Sequence, residues 1–410
     1  MLLPRHKGLY IGGACVVLAI AVAVISRLGG LPALPGDESV VNTYTTQGFD
    51  YLQRARATGD PTFYGKAQDA FDAALRHNSQ SVDGILGKGM LALSRHQFHE
   101  GLDLGKQALA LDPDRAFTLG VIADAQIELG MYNDAVQTVQ EMIDRRPDIS
   151  SYSRGSYVRE LHGQIDGAIQ LMQEAVASGG PTVENVEWTR VQLGNLYYNK
   201  GDLTAAEREY QHALTNLPNY GYALAGLGHV RAAQGRYDEA IALYKQAIAH
   251  VPLPEFVIAL GETEQVAGRA AAAQEQYGLV RVIEQLFKTN GVNTDMELAL
   301  FEADHGDANQ AVAQARAAYA ERPNVKAADT LAWALSQAGQ RAEAQQYMTE
   351  ALKLGSKDAL FLYHAGMIAY RAGNMTDARV RLEQALAQNA NFSVVYAPVA
   401  RQTLEEARAR

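Results

Sequence analysis

The chain has 410 residues, a net charge of −10 and a single cysteine. The excess of acidic residues argues against a nucleic-acid-binding groove, whose affinity depends on clustered lysine and arginine. Because the cysteine, Cys15, lies in an apolar stretch near the start, the rest of the chain has no disulfide and no thiol catalysis. A chain of this length normally forms roughly two or three globular domains, unless it consists of stacked repeats.

An apolar segment follows the first basic residues. Arg5 and Lys7 precede an uncharged stretch, residues 8–26, which Arg27 closes. At about 1.5 Å per residue in a helix, this stretch spans nearly the ~30 Å hydrocarbon core of a bilayer. We therefore expect residues 1–27 to be an uncleaved signal anchor that crosses a membrane as a transmembrane helix.

The charges that flank this segment predict its orientation. Positive charge is heavier on the N-terminal side, which by the positive-inside rule keeps the N-terminus in the cytoplasm. We expect the rest of the chain to lie in the periplasm or outside the cell, and a cytoplasm-facing chain is an alternative. Secretion after signal cleavage is another, because residues 21–23 have the small-x-small pattern of a cleavage site. Residues 28–40, rich in glycine and proline, are predicted to be a linker.

A repeat dominates the remainder of the chain. The pattern of residues 193–218 recurs about 34 positions later in residues 227–252, with leucine-glycine, glycine, alanine, tyrosine and proline at matching places. Apolar residues three and four apart place each set on one face of a helix. Gly201 is expected to end the first helix of the unit with a positive φ, and Pro218 to end the second. Such a pair cannot bury its apolar face alone, so neighbouring units must stack.

The spacing resembles the tetratricopeptide repeat (TPR). The resemblance implies that each unit is a pair of antiparallel helices, A and B, and that the units form an all-α, right-handed superhelical solenoid behind the N-terminal transmembrane helix. It covers residues 41–392 in about ten units. Residues 393–410 are predicted to be a capping helix with a polar outer face. The first unit is irregular, with a long turn predicted at residues 55–63.

No catalytic motif is present, so we expect neither an enzyme nor a bound cofactor or metal ion. Two polar segments keep open the alternative of an enzyme or a small-ligand or metal binder. In residues 154–162, Arg154 or Arg159 could hold a partner's carboxylate or phosphate in bidentate fashion, although a local network of arginine and glutamate that stabilises a weak repeat is the favoured interpretation. In residues 302–307, acidic residues and a histidine surround a turn glycine. The histidine pair His96 and His99 is interpreted as turn and capping contacts rather than a zinc site.

In a TPR array, the residues of helix A that point away from helix B line a concave groove. A surface of asparagine, histidine and aromatic residues suits an extended peptide or a partner helix. The predicted groove residues, with the two arginines of the polar segment, are Asn195, Tyr198, Asn199, His229, Glu262, Gln265, Trp333, Tyr363, Tyr370, Arg154 and Arg159.

Some TPR domains grip peptide C-termini with lysine and asparagine from adjacent helices A. Asn195 matches part of that clamp, but the neighbouring positions are Ala225 and His229 and supply no lysine. This departure argues against a role in binding chaperone tails. The sequence predicts a non-enzymatic, membrane-tethered scaffold that binds an unidentified protein or peptide in the concave groove. A self-associating structural protein is a further alternative.

Overall fold

The computed structural model describes residues 37–409, and within them the regular secondary structure consists of 21 α-helices. The predicted anchor and residues 28–36 of the predicted linker lie outside the described residues. Helix α1 begins at Asp37, so the last four residues assigned to the linker are helical instead. Across residues 37–409, no helix combines the length and the apolar character needed to cross a membrane.

The helices form ten consecutive pairs and a final single helix. The first helices of the pairs, which we call helices A, are α1 (Asp37–Thr58), α3 (Val82–Ser94), α5 (Ala116–Glu128), α7 (Ile149–Leu161), α9 (Val183–Asn199), α11 (Gly221–Ala233), α13 (Pro254–Val266), α15 (Asp295–His305), α17 (Val325–Gln337) and α19 (Ala359–Arg371). The second helices, B, are α2 (Thr62–His77), α4 (Phe98–Leu111), α6 (Tyr132–Arg145), α8 (Ile165–Ala177), α10 (Leu203–Asn216), α12 (Tyr237–His250), α14 (Ala270–Thr289), α16 (Ala308–Glu321), α18 (Arg341–Ala351) and α20 (Met375–Gln388). The single helix is α21 (Tyr396–Arg408).

A tight turn joins the two helices of a pair. Gly201, Gly235 and Gly268 occupy this turn with φ of 87°, 74° and 80°, in the left-handed region that glycine adopts readily. The positive φ predicted at Gly201 is therefore confirmed. In the second pair, His96 takes the same place with φ of 59°.

Within and between pairs, small residues on helices A receive aromatic rings from helices B. The buried ring of Tyr210 lies against Gly194 of its own pair and Gly226 of the next. A Cβ atom would lie 2.5 Å from the ring at Gly194 and 2.4 Å at Gly226, so only glycine fits. Tyr244 makes the same contact with Gly228. This recurrence explains why the repeat keeps its glycine and tyrosine together.

Two helices are longer than the rest of the described helices. Helix α1 has 22 residues, and the long turn predicted at residues 55–63 is absent, because α1 continues to Thr58 and α2 starts at Thr62. The additional residues lengthen the helix rather than the turn. Helix α14 has 20 residues and continues to Thr289, whereas the other helices B have 11 to 16.

The array is wound so tightly that its successive superhelical turns are in contact. The turn after α3 contacts the loop before α15, the turn after α5 contacts the start of α17, and the turn after α9 contacts the loop before α21. In each contact, the second helix follows the first by twelve helices, which is six pairs. Hydrogen bonds of this kind join residues 189 to 197 positions apart. One superhelical turn therefore contains six pairs, and the second turn rests directly on the first.

Three asparagines supply several of the hydrogen bonds between the two superhelical turns. The Asn293 carbonyl lies 2.6 Å from His96 Nδ1, and the Asn293 N–H donates to the Arg95 carbonyl at 3.0 Å. Asn324 Nδ2 donates to the Glu128 carbonyl at 2.9 Å, and Asn389 Nδ2 donates to the Tyr198 carbonyl at 2.8 Å. We call the contacts of Asn293, Asn324 and Asn389 with the first turn the inter-turn seam.

Glycines allow the backbones to approach closely along this seam. A Cβ atom on Gly130 would lie 2.5 Å from the Pro323 carbonyl oxygen, and one on Gly163 would lie 2.3 Å from the Gly355 carbonyl oxygen. Both glycines also have positive φ, of 72° and 70°. A side chain at either place would separate the two superhelical turns.

The inside of the superhelix is filled. Tyr396 of α21 donates a hydrogen bond to Asp304 of α15, three pairs earlier and therefore half a turn away. Eleven consecutive residues of α19, Ala359 to Ala369, are buried, so no face of this helix A is open to solvent along that length. Helix α19 is thus enclosed along this length, and α21 and α15 are in contact across the superhelix axis.

Candidate functional site

The predicted groove residues do not line an open groove. Six of them are buried, namely Arg154, Tyr198, His229, Glu262, Trp333 and Tyr363. The other five are partly exposed, namely Arg159, Asn195, Asn199, Gln265 and Tyr370. The prediction of an accessible concave surface at the six buried positions is therefore corrected, because the winding of the chain brings helices A together where the groove was expected.

Three of these residues face helix B instead of pointing away from it. Tyr210 of α10 donates to Asn195 Oδ1 at 2.7 Å, and Tyr277 of α14 donates to Gln265 Oε1 at 2.9 Å. His229 Nδ1 is hydrogen-bonded to the hydroxyl of Tyr244 of α12. The same bond between a helix B tyrosine and a polar side chain of helix A thus recurs in three consecutive pairs. It closes the pair and satisfies a buried hydroxyl.

Tyr198, His229 and Glu262 do come together, around a small cavity. Tyr244 and Thr263 complete its wall, and Ser393 and Val394 of the second turn close it. Its volume is about 10 Å³, roughly the space that one water molecule needs. Burial lowers the pKa of His229 to about 3, so the ring is neutral at physiological pH. The cavity can hold a water molecule but no organic substrate.

A second buried cluster surrounds Asp304. Trp333 Nε1 donates to Asp304 Oδ1 at 2.8 Å, and the Tyr396 hydroxyl donates to the same oxygen. Burial raises the pKa of Asp304 to about 7, although both hydrogen bonds act in the opposite direction. Trp333 stacks on His364 with a centroid separation of 4.1 Å, and Tyr363 stacks on Tyr396 at 4.7 Å. These aromatic side chains form the core of the second turn rather than a binding surface.

Arg154 finds its carboxylate inside the protein. Its Nε donates to Asp124 Oδ1 at 2.9 Å and its Nη2 to Asp124 Oδ2 at 2.5 Å, which is the bidentate geometry that the sequence suggested for a ligand. Burial raises the pKa of Asp124 to about 6, against the effect of Arg154. Arg159 is partly exposed and donates to the Gly167 carbonyl at 3.3 Å. The segment 154–162 therefore holds neighbouring helices A together.

The segment 302–307 is divided among several contacts. Glu302 forms an ion pair with Arg281 at 3.0 Å, and His305 Nε2 lies 3.4 Å from Glu262 Oε1. Asp307 caps α16 by accepting from the N–H groups of its first turn. Within residues 37–409, no three histidine, cysteine or acidic side chains are grouped as a metal ion would require. His96 Nδ1 contacts the Asn293 carbonyl, so its side chain joins two superhelical turns rather than capping its own turn.

The five partly exposed residues lie apart from each other. Asn199 donates to Glu160 at 3.3 Å, which joins α9 to α7, whereas Arg159 contacts Gly167 of α8. Tyr370 donates to Glu406 of α21 at 2.7 Å, at the other end of the array. Asn199 and Tyr370 thus lie on two separate polar edges of the superhelix, while Asn195 and Gln265 bond to helix B tyrosines.

Sequence reasoning missed the residues that close the superhelix. The tyrosines of helices B were recognised as part of the repeat, and their regular recurrence was the available signal for their bonds to Asn195, His229 and Gln265. Asn324 and Asn389 gave no comparable signal, because single asparagines before helices are common as caps. Asn324 does cap α17 as well, by accepting from the Ala327 N–H at 2.8 Å.

Comparison with known proteins identifies the repeat. Residues 191–253 and 330–394 match the family described as tetratricopeptide repeat. Two proteins of Komagataeibacter xylinus are similar in sequence. The cellulose synthase 1 operon protein C is 27% identical over 227 residues, which are 55% of this chain and 14% of that protein. The cellulose synthase operon protein C is 26% identical over 227 residues, again 14% of its length. The match thus spans about a seventh of these relatives.

Similar arrays occur among solved structures. The crystal structure of the APC/C hetero-tetramer Cut9-Hcn1 is 15% identical, with 90% of this chain and 94% of that chain covered and a TM-score of 0.39. A structure of YrrB, described as a TPR protein with an unusual peptide-binding site, is 21% identical, with 47% and 96% covered and a TM-score of 0.31.

Proposed function

We propose that this chain, a tetratricopeptide-repeat protein, is a non-enzymatic scaffold that holds a protein or peptide partner at a membrane surface. The observation that carries the proposal is the internal pairing of its polar side chains. Arg154 is bound to Asp124, Trp333 to Asp304, and His229 to Tyr244. Groups that could perform acid–base or ligand chemistry are thus used to hold helices together.

The partner is proposed to bind at the accessible polar edges while the superhelix is closed. Asn199 lies on one such edge, Tyr370 lies on another, and Arg159 is partly exposed on α7. Amide, guanidinium and phenol groups suit the backbone and side chains of a peptide. Binding along the inner face of helices A requires the inter-turn seam to separate, which would expose Tyr198 and its neighbours.

The tether is proposed to be residues 8–26, with the repeats outside the cytoplasm. Extraction of cell membranes at alkaline pH tests it, because a membrane-spanning chain stays in the pellet. A chain that is released into the supernatant, or that is shortened by removal of residues 1–27, contradicts the tether.

Site-specific photocrosslinking in intact cells tests partner binding. A photoreactive amino acid at Asn199 or Tyr370 samples the polar edges, and one at Tyr198, whose exposure is 4%, samples the interior. We expect a discrete adduct from an edge position, identified by mass spectrometry, and none from Tyr198 while the superhelix stays closed. An adduct at Tyr198 indicates an opened superhelix with the partner inside it. The scaffold proposal fails if folded protein gives no adduct from any of the three positions.

A further inference from the structure

Helix α14 carries an exposed apolar stripe on its outer face. Leu279, Val282 and Leu286 are 39%, 65% and 46% exposed, and their spacing of three and four residues places them on one side of the helix. We call these three residues the α14 stripe. Other large apolar side chains that are exposed within residues 37–409 occur one to a helix, at Leu111, Val136, Val183, Val266 and Val380. The α14 stripe is therefore the place where exposed apolar area is concentrated along one helix.

The exposed charges beside the C-terminal part of the stripe are positive, whereas Glu275, four residues before Leu279, is an exposed acidic residue at its other end. Between residues 278 and 289 the exposed side chains include Arg281 and Lys288, and the acidic residue of this segment, Glu284, is buried at 5% exposure. Arg281 pairs with Glu302 while its side chain stays 48% exposed. The whole chain has a net charge of −10. An anionic surface would therefore be attracted by the part of α14 that carries Arg281 and Lys288 rather than by the chain as a whole.

The stripe belongs to the helix pair that stacks on the pair containing α1. The pair α13–α14 is the seventh, and it stacks on the first pair, α1–α2: Gly59 after α1 lies against Val251 and Leu253 before α13. Arg95, in the turn before α4, likewise contacts the loop after α14. The end of α1 therefore lies below the seventh pair, and α1 extends from that contact back to its start at Asp37.

The chain between the predicted anchor and α1 is long enough for the anchor and the α14 stripe to reach the same membrane. Residues 27–36 can span at most about 35 Å when extended. Helix α1, which has 22 residues, is about 33 Å long. A membrane that touches α14 can thus also contain the anchor.

We propose that the α14 stripe lies on the surface of an anionic lipid bilayer, with Leu279, Val282 and Leu286 among the acyl chains and Arg281 and Lys288 at the head groups. This inference rests on the proposed tether, which holds the chain close to that surface. An amphipathic helix of this kind lies in the interface with its apolar side chains buried a few ångströms deep. The superhelix would then lie on its side, with its axis parallel to the membrane.

An environment-sensitive fluorophore tests the proposal in the full chain. Cys15 is the single cysteine, so Cys15→Ser permits selective labelling of Val282→Cys with a nitrobenzoxadiazole dye. The matched control is Val380→Cys on α20, which is 44% exposed and lies three pairs, or half a turn, away from α14. The labelled chains are mixed with vesicles of equal parts phosphatidylglycerol and phosphatidylcholine, or of phosphatidylcholine alone.

We expect the dye at position 282 to shift to the blue with the anionic vesicles and the dye at position 380 to stay unchanged. Lys288→Glu should weaken the response at position 282, because each cationic side chain near such a surface contributes roughly five-fold to binding. No shift at position 282, or an equal shift at both positions, overturns the proposal. A shift without vesicles that grows with protein concentration also overturns it and assigns the stripe to a second copy of the chain.

Flotation of the same samples at alkaline pH reports the tether separately. If the chains float but show no shift at position 282, the tether is supported and membrane binding by the α14 stripe is contradicted. Chains that shift at neutral pH but are washed off at alkaline pH keep the stripe and reject the tether. Because the two readouts are independent, failure of one idea is distinguished from failure of the other.

Discussion

Glu284 of α14 is a buried glutamate whose surroundings in the folded protein disfavour the ionised carboxylate. Its side chain is buried, and one of its oxygens has no hydrogen-bond partner among the described residues. Burial raises the pKa of Glu284 from 4.5 to about 8. A hydrogen bond with Thr294 acts in the opposite direction but offsets only part of this increase. The folded state therefore keeps a proton that the unfolded chain has released at neutral pH, and this difference costs stability.

Glu284→Gln should make the protein more stable at neutral and mildly alkaline pH. Between about pH 4.5 and about pH 8, the free energy of unfolding of the unmodified chain falls as the pH rises, because the unfolded state releases its proton first. Glutamine does not titrate, so the advantage of the variant grows through this window to a few kcal/mol, using ~1.4 kcal/mol per pKa unit. Urea unfolding at both ends of the window measures it.

The control for that experiment is Glu275→Gln, an exposed glutamate on the same helix. It should leave the pH dependence of unfolding as it is in the unmodified chain. Equal stability of Glu284→Gln and the unmodified chain at about pH 8 would contradict the assigned burial of Glu284.

At the scale of a helix pair, the glycines of helices A carry the packing. Gly226 receives the ring of Tyr210 so closely that a Cβ atom would lie 2.4 Å from it. Gly278 of α14 is also inside a helix, but a Cβ atom there would meet nothing within 4 Å. Substitution of glycine by alanine should therefore change the stability of the protein in opposite directions at these two positions.

Gly226→Ala should destabilise the protein by about 1–3 kcal/mol, since the buried tyrosine ring must move. Gly278→Ala should stabilise it by about 0.5–1 kcal/mol, because alanine restricts the unfolded chain and favours the helix. Chemical unfolding followed by circular dichroism compares the two. A loss of stability in both variants, or in neither, would show that the pair contact at Gly226 is not as close as described.

The helix pairs were predictable from the sequence, but the direction of single side chains was not. Leucine-glycine, the turn glycine and the helix B tyrosine recur at a fixed spacing, and they are the residues that make the pair contacts. Asn195, His229 and Gln265 were assigned to a groove, yet they bond to helix B tyrosines. One position along a helix rotates a side chain by about 100°, which is enough to exchange the groove for the partner helix.

At the scale of the whole molecule, the inter-turn seam decides whether a groove exists. Asn324 and Asn389 are both 3% exposed, and both donate to backbone carbonyls of the first turn. The sequence contains no periodic signal for these bonds, because they join loops rather than helix faces. The repeat pattern therefore predicted the units and left the tightness of the superhelix undetermined.

Replacing both asparagines by aspartate should open the superhelix while leaving the helices intact. Aspartate keeps the oxygen that caps the local backbone but loses the donor, and at position 324 it places a second carboxylate beside Glu128. We expect Asn324→Asp with Asn389→Asp to raise the radius of gyration in small-angle X-ray scattering at unchanged helix content. Asn374→Asp, in an exposed cap without an inter-turn contact, is the control.

An unchanged radius of gyration in the double variant would mean that the seam asparagines do not hold the turns together. Loss of helix content along with expansion would mean that the turns and the helices unfold as one unit. Either result would contradict a closed superhelix that opens as a separate event.

The stacking of the seventh pair on the first limits how this array can change in evolution. Solenoids with contacts between adjacent repeats alone can gain or lose a repeat anywhere at little cost. Here, one repeat inserted between Glu128 and Asn324 would shift every later loop by a sixth of a turn and bring Asn324 opposite the wrong partner. The seam is therefore kept when repeats are gained or lost at the ends of the array or as a whole superhelical turn. Gain or loss of a single repeat between two loops that bond to each other disrupts it.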